Sequence, residues 1–391
     1  MAVGTAGLAA VGRDPSPSPR RAQQSVPAGL DPWIEVDGAT LRSNLAAVGR
    51  LVEDRPVFAV IKNNGYGLGT VEVARALDGH PSLAGFAVVK VSAALALQNA
   101  GIEMPVLHMG AATRSEATEL VAADVRLSAF QDSDPVRITE LAEAFRRRIP
   151  VHLYIDTGMR RLGIPAHRAL PWMRELATAP VQIEGTFMGF TEEAEFDADQ
   201  LARFQRLASE ARESRLELGR LHAASSHGLF QRTEAHLDMV RPGLALYGAY
   251  PSDADPSAAH LIPAFRLRAR VVRVELLREG DSVSYGRNWV AERQTWTATL
   301  PVGHADGYPR RAVEGCEVLI GGRLYPVVGA VSASHAIVVL GEQTSVSVGD
   351  VATLVGSGDP AIHPNEVARR TGSSVYDVLM HLGQDLPRVV V

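Results

Sequence analysis

The segment Phe58-Ala-Val-Ile-Lys-Asn-Asn-Gly-Tyr-Gly-Leu-Gly69 sets Lys62 directly behind four apolar residues and ahead of three glycines. A short apolar run of this kind reads as a buried strand, so the lysine stands at a strand end. An amine held in a partly desolvated mouth has a lowered pKa and attacks carbonyl groups to form a Schiff base. Glycines after it allow backbone to approach a ligand closely. The same residues also fit a plainer reading, a strand-end lysine reaching into solvent, and the segment by itself leaves both open.

The elements that would position this lysine follow from periodicity. Short apolar runs at 58–61, 85–89, 105–108, 125–128, 150–155, 183–190, 221–224 and 239–246 read as eight strands. Amphipathic stretches such as 93–100, 138–148 and 199–214 lie between them. Strand–helix alternation implies right-handed βαβ units and a parallel sheet. Eight units within 37–255 predict a (β/α)8 TIM barrel, whose chemistry sits at the C-terminal ends of its strands. Ahead of it, Asp37 is placed to cap a helix carrying Leu41, Leu45, Val48 and Val52 at helical spacing. Beyond about residue 255 the texture changes. Phe265–Val274 alternates apolar and charged residues, and Gly and Pro punctuate short runs at 296–301, 317–320, 324–331, 336–340 and 351–354. A C-terminal all-β domain over 256–391 is expected, with the strand at 30–36 joining it.

Composition narrows the function classes. The chain has 391 residues, with Lys plus Arg 39 against Asp plus Glu 44, a formal net charge of −5. That sign argues against a nucleic-acid partner, which calls for basic clustering. The one cysteine, Cys316, excludes an internal disulfide and any Cys-based metal centre. No run of about 18 apolar residues offers a membrane span. Residues 1–29, broken by Pro15, Pro17 and Pro19 and lacking a basic start, read as a flexible tail rather than a signal peptide, with the cytoplasm as the expected location.

Lys62–Gly69 resembles the pyridoxal-phosphate lysine motif of the alanine racemases, the barrel-type (fold type III) enzymes of that cofactor, and the similarity runs from Trp33 to Arg388. His152-Leu-Tyr-Ile-Asp-Thr-Gly-Met-Arg-Arg-Leu-Gly163 resembles the segment carrying the family's substrate-facing arginine, here Arg161. Val240-Arg-Pro-Gly-Leu-Ala-Leu-Tyr-Gly248 and Asp281-Ser-Val-Ser-Tyr-Gly-Arg287 are further matches, and all four occur in the family's order. The resemblance implies that Lys62 holds the cofactor and then acts as one base. It implies that Tyr285 is the second base, reaching the site from the other subunit of a homodimer. It also implies that Arg241 faces the pyridine nitrogen, and that Tyr66, Ser226, Gly243 and Leu244 hold the phosphate. Two bases on opposite faces of one α-carbon are what inversion of an amino acid needs. A guanidinium that keeps its proton leaves the ring a weaker electron sink, which favours proton return over other outcomes.

Departures from the family gather near the substrate. Tyr154 stands where many members carry a lysine that anchors the substrate-facing arginine, so a Tyr154–Arg161 hydrogen bond is expected in its place. His304 and Gln384 replace two gate tyrosines, Ala333 and Ser334 replace a Met-Asp pair beside the substrate carboxylate, and Gly189 replaces a ring-side histidine. Together they imply a wider or more polar pocket, suited to an amino acid larger than alanine. The expected activity is therefore a two-base racemase of amino acids. The alternatives on the same scaffold are another α-carbon reaction (aldol cleavage, elimination or decarboxylation) and a pyridoxal-phosphate-binding protein without turnover.

Overall fold

Asp37 opens the first helix, Gly38–Leu51, by accepting a hydrogen bond from the Thr40 N–H at 2.8 Å. Leu41, Leu45 and Val48 then recur on its buried face. The computed structural model describes residues 28–391, so the expected tail lies outside the described residues except for Ala28 and Gly29.

Strand β1 (Trp33–Val36) precedes the barrel. The barrel strands are β2 (Val57–Val60), β3 (Leu83–Val88), β4 (Val106–His108), β5 (Arg126–Ala129), β6 (Ile149–Asp156), β8 (Val181–Phe187) and β9 (Arg220–His222), paired in parallel in that order. A two-residue β7 (Ile164–Pro165) adds to β6. Helices Val91–Asn99, Asp134–Phe145 and Ala194–Glu213 lie where the amphipathic stretches put them.

Closure differs from the expectation. The eighth strand at 239–246 is reduced to one parallel bridge, Val240 to Val57. Phe58 N–H donates to Val240 O at 2.9 Å and Val60 N–H to Pro242 O at 2.8 Å. On the other flank, Asp238 N–H reaches Leu221 O at 3.0 Å and Arg241 N–H reaches Ala224 O at 2.8 Å. The barrel therefore closes, but Pro242 has no N–H to continue a ladder, and the chain turns at once into the 3-10 segment Leu244–Tyr247. Likewise the run 183–190 leaves the sheet after Phe187, and 221–224 leaves it after His222. Both shortened ends face the site.

After the barrel come β10 (Phe265–Arg270), β11 (Arg273–Leu277), β12 (Ser282–Val283), β13 (Trp289–Val290), β14 (Thr295–Leu300), β15 (Glu317–Ile320), β16 (Arg323–Val328), β17 (Ala336–Gly341), β18 (Val351–Gly356) and β19 (Arg388–Val390). The alternating run 265–274 is thus two strands, broken at Val271-Val272. In β10, Phe265, Leu267 and Ala269 are buried while Arg266, Arg268 and Arg270 stay partly exposed, the two-faced pattern of an antiparallel sheet. A nine-stranded sheet runs in the order β11-β14-β17-β16-β15-β18-β10-β1-β19. Its β1 lies antiparallel to β10 and parallel to β19, so the strand before the barrel is built into the sheet after it. Strands β12 and β13 form a separate ribbon. Two short helices, Pro364–Thr371 and Val375–Met380, supplement the strands and pack on each other, and the second lies against the lysine loop.

Candidate active site

Lys62 follows β2 directly, and the chain then makes a left-handed turn. Asn63, Asn64 and Gly65 have φ of 53°, 56° and 59°. Asn and Gly are the residues that enter this region most readily. Gly67, at φ 91°, lies so near the helix Val375–Met380 that a Cβ would stand 2.5 Å from Leu379 O. Arg388 of β19 donates to Gly67 O at 2.8 and 3.1 Å, bracing the loop from the sheet. The Lys62 amine is half-buried. Burial pushes its pKa below the ordinary lysine value, the nearby Arg161 cation adds to this, and Glu192 opposes it.

Arg241 sits in the segment that closes the barrel and is 7% exposed. Its guanidinium donates to Met188 O at 2.7 Å, His222 O at 2.8 Å and His222 Nδ1 at 2.7 Å, and lies over the Phe187 ring at 4.9 Å. Guanidinium has only donors, so His222 Nδ1 accepts and its Nε2 carries the proton. That Nε2 then donates to His152 Nδ1 at 2.9 Å. The array fixes both tautomers, and each ring is neutral: burial pushes His152 down to about 3 and His222 well below its ordinary range, and the Arg241 charge adds to both. Burial also lowers Arg241 to about 10, so it stays protonated at neutral pH.

The other end of the cavity is an anion cradle. Ser226 Oγ accepts from the N–H groups of Gly243 at 3.0 Å and Ala245 at 3.1 Å, which leaves its own proton to donate. The Leu244 N–H has no partner among the described residues. Tyr66 stacks on Tyr247 with centroids 4.7 Å apart, and its hydroxyl lies against Gly243 so closely that a Cβ there would collide with it. Small residues, free donors and a buried phenol suit a phosphate.

One cavity of about 450 Å³ joins these parts: Lys62, Tyr66, Tyr154, Arg161, Gly189, Ser226, Arg241 and Gly243 all line it. Tyr154 stacks on Phe187 at 4.3 Å and meets Phe130 edge-on at 5.9 Å. Its hydroxyl lies 3.7 Å from where a Cβ on Gly189 would stand. The expected Tyr154–Arg161 hydrogen bond is not formed; aromatic stacking holds Tyr154, and Arg161 is exposed. Met159, Glu192 and Tyr376 are among the lining residues that sequence reasoning missed. Glu192 had a signal, an acid just past the end of a barrel strand; Tyr376 had none, because a distant helix brings it there.

Tyr285, His304, Ala333, Ser334 and Gln384 do not line this cavity. They gather elsewhere, on exposed turns of the C-terminal part. Tyr285 lies in the turn between β12 and β13 with 75% of its surface exposed. That turn is stiff: Ser284, Gly286 and Arg287 have φ of 63°, 71° and 50°, and Ser284 Oγ donates to Ala330 O at 2.8 Å. His304 N–H donates to Ser332 O at 2.9 Å and Ala305 N–H to Ala333 O at 3.0 Å. Gly383 N–H reaches Asp306 O at 3.0 Å, which brings the Gln384 turn alongside.

A parallel barrel with a desolvated lysine at one strand end, a buried arginine array beside it and a phosphate cradle opposite defines a barrel-type enzyme suited to pyridoxal phosphate. The family descriptions "Alanine racemase, N-terminal domain" and "Alanine racemase, C-terminal domain" match residues 36–251 and 264–390. The alanine racemase of Carboxydothermus hydrogenoformans is 34% identical over 92% of this chain and 99% of its own length. Among solved structures, alanine racemase of Clostridium difficile 630 aligns with a TM-score of 0.84 at 27% identity, covering 92% of this chain and 95% of that one. The Bacillus anthracis alanine racemase with bound L-Ala-P aligns with a TM-score of 0.82 at 28% identity, over 94% and 96%. The chain belongs to the alanine racemase family: it is a racemase, an isomerase dependent on pyridoxal phosphate. Among the described residues, no helix is long and apolar enough to cross a membrane.

Proposed function

We propose that the protein inverts an amino acid larger than alanine by a two-base mechanism, as a homodimer whose sites are shared between subunits. The observation that carries this reading is the pairing, in one cavity, of an amine with a lowered pKa and an arginine that stays protonated. Lys62 would hold the cofactor through its amine, Tyr66, Ser226 and the backbone of Gly243 and Leu244 would hold the phosphate, and Arg241 would face the ring nitrogen. Pyridoxal phosphate, when bound, supplies an electron-withdrawing ring that acidifies the α-hydrogen of a substrate joined to it.

The chain's own groups then move the proton. The Lys62 amine takes or returns it on one face of the α-carbon, and its lowered pKa raises the share of free amine at any given pH. Tyr285 of the partner subunit serves the other face, and the roles exchange for the opposite enantiomer. In its own protomer Tyr285 is exposed on a stiff turn outside the cavity, which suits a residue that works across a subunit boundary. Arg241 keeps its proton and so limits how much negative charge the ring accepts, which favours proton return over bond cleavage elsewhere. Arg161 meets the substrate carboxylate at the mouth.

The larger substrate is supported by the small or polar residues Ala333, Ser334, His304 and Gln384 in the second cluster; at Gly189 the Tyr154 hydroxyl takes up the space of a side chain. Losing a bulky wall relaxes discrimination against extra methylenes by about 1–3 kcal/mol each. The test is an amino-acid panel read by chiral chromatography together with α-hydrogen exchange in D2O. Exchange with loss of optical purity and no new product is the expected result. A kcat/KM preference for alanine would overturn the larger substrate, and a new product would overturn racemisation.

A further inference from the structure

The cavity holds a single acid, Glu192, among the cations Lys62, Arg161 and Arg241. Its carboxylate forms no ion pair and no hydrogen bond among the described residues; only its backbone N–H is engaged. The cations already have answers in the reading above: the substrate carboxylate for Arg161, the cofactor for Lys62 and Arg241. Glu192 has none.

The loop that carries it is built to stay in place. Thr191 N–H donates to Asp197 Oδ1 at 3.1 Å and Gln200 Oε1 at 3.0 Å, and Glu192 N–H donates to the same Asp197 oxygen at 3.1 Å. Gln200 Nε2 returns a bond to Gly189 O at 3.1 Å. Asp197 and Gln200 are fully buried. Glu192 itself is held at φ 66°, a left-handed conformation that a residue with a Cβ adopts only at a cost. Buried supports and a strained backbone thus fix the chain at the point from which an exposed, unpaired carboxylate lines the mouth. Glu192 lines the same cavity as Lys62, Tyr66 and Tyr376, and its charge raises the pKa of all three. Opposite-charge complementarity in a cleft of this kind sets specificity.

We propose that Glu192 selects a substrate whose side chain ends in a cation, an amino acid of the lysine, ornithine or arginine type. This rests on the racemase reading above and adds the chemistry of the side chain. Glu192 recognises the distal cation while Arg161 takes the carboxylate.

The test compares L-lysine with L-norleucine, which has the same carbon chain without the ammonium, on the purified holoenzyme. Racemisation is followed by chiral chromatography, and dissociation constants by the change in cofactor absorbance on titration with each amino acid. The expected result is a preference for lysine of about tenfold in kcat/KM, carried by KM and by the dissociation constant. In Glu192→Gln the lysine-to-norleucine ratio falls about tenfold, Glu192→Asp retains part of it, and Glu192→Lys moves the preference toward glutamate. Thermal melting of each variant shows that it is folded. A ratio that is the same in the wild type and Glu192→Gln, or equal losses on both substrates, overturns the proposal and leaves Glu192 as a partner of Lys62. Failure of every amino acid to exchange its α-hydrogen in D2O overturns the racemase reading itself. Racemisation of norleucine and alanine without a charge preference overturns only this inference.

Discussion

The Tyr154 hydroxyl stands 3.7 Å from the point where a Cβ on Gly189 would lie, so the phenol fills the space that a side chain at 189 would need. The two departures are therefore one change. A bare Cβ at 189 meets only ordinary contacts, Met159 Sδ at 3.5 Å and this hydroxyl, so Gly189→Ala is expected to fold and bind cofactor normally. Gly189→His drives an imidazole into the phenol and weakens cofactor binding. Adding Tyr154→Ala relieves the clash, and the double-mutant cycle shows a coupling of about 1 kcal/mol or more, read from cofactor dissociation constants. Additive effects would show that the two positions are independent.

Arg161 lowers the Lys62 pKa, so removing its charge has a defined sign. In Arg161→Met the lysine rises toward its ordinary value, and less free amine is present at any given pH. The pH dependence of cofactor loading onto apoprotein moves to higher pH, measured as the rate of appearance of the bound-cofactor absorbance. Burial is the larger cause of the shift and remains in the variant, so the profile moves only part of the way. A profile that stays in place would remove Arg161 from this role.

The neutral pair His152 and His222 makes the fold acid-sensitive. Below about pH 6.5 the unfolded chain binds protons on these rings, whereas the folded chain holds them neutral. Stability is thus full above that pH and falls as pH decreases toward about 3, where His152 titrates in the fold. Each ring removes about 1.4 kcal/mol per pH unit within this window. Urea midpoints measured at pH 7.5, 6.5 and 5.5 check it, and His152→Phe is expected to reduce the slope. An unchanged slope would mean that His152 is already protonated in the native state.

The place of Lys62 at a strand end was legible from an apolar run followed by a glycine-rich turn, while its role came from the family resemblance and not from those local signals. Seven barrel strands were legible for the same reason, since buried parallel strands are written as apolar runs. The eighth was not, because an apolar run does not say whether its N–H groups find partners, and Pro242 removes one of them. The helices Pro364–Thr371 and Val375–Met380 were hidden in β texture at eight and six residues, although Pro364 and the Ser374 cap mark their starts. The Arg241–His222–His152 array joins residues 19 and 70 positions apart, so only the fold brings it together. Glu192 acquires meaning only when the cavity shows what it faces.

The phosphate cradle depends on Gly243 having no side chain. A Cβ there collides with the Tyr66 hydroxyl, and Tyr66 is backed by Tyr247 at 4.7 Å and cannot withdraw freely. Gly243→Ala is expected to weaken cofactor affinity by tenfold or more, about 1.4 kcal/mol, while Gly243→Ala with Tyr66→Phe regains part of it. Fluorescence titration of apoprotein with pyridoxal phosphate measures both. Wild-type affinity in the single variant would show that the cradle yields.

Tyr285 offers the sharpest check on the shared site. Lys62→Ala removes the amine and Tyr285→Phe removes the phenol, so each homodimer is expected to lose racemisation by about a thousandfold. The two losses fall on different subunits if the second base crosses the boundary. Mixing the variants under conditions that exchange subunits makes half the dimers hybrid. In each hybrid one of the two sites pairs an intact Lys62 with an intact Tyr285, so about a quarter of all sites regain activity. A site built within one protomer gives no recovery at any mixing ratio. Because Tyr285 is 75% exposed and its turn is held by Ser284 and Arg287, Tyr285→Phe leaves the fold unstrained, and its melting temperature is expected to match the wild type. Recovery near a quarter, with both parents inactive, would assign the amine and the phenol to opposite subunits of one active site.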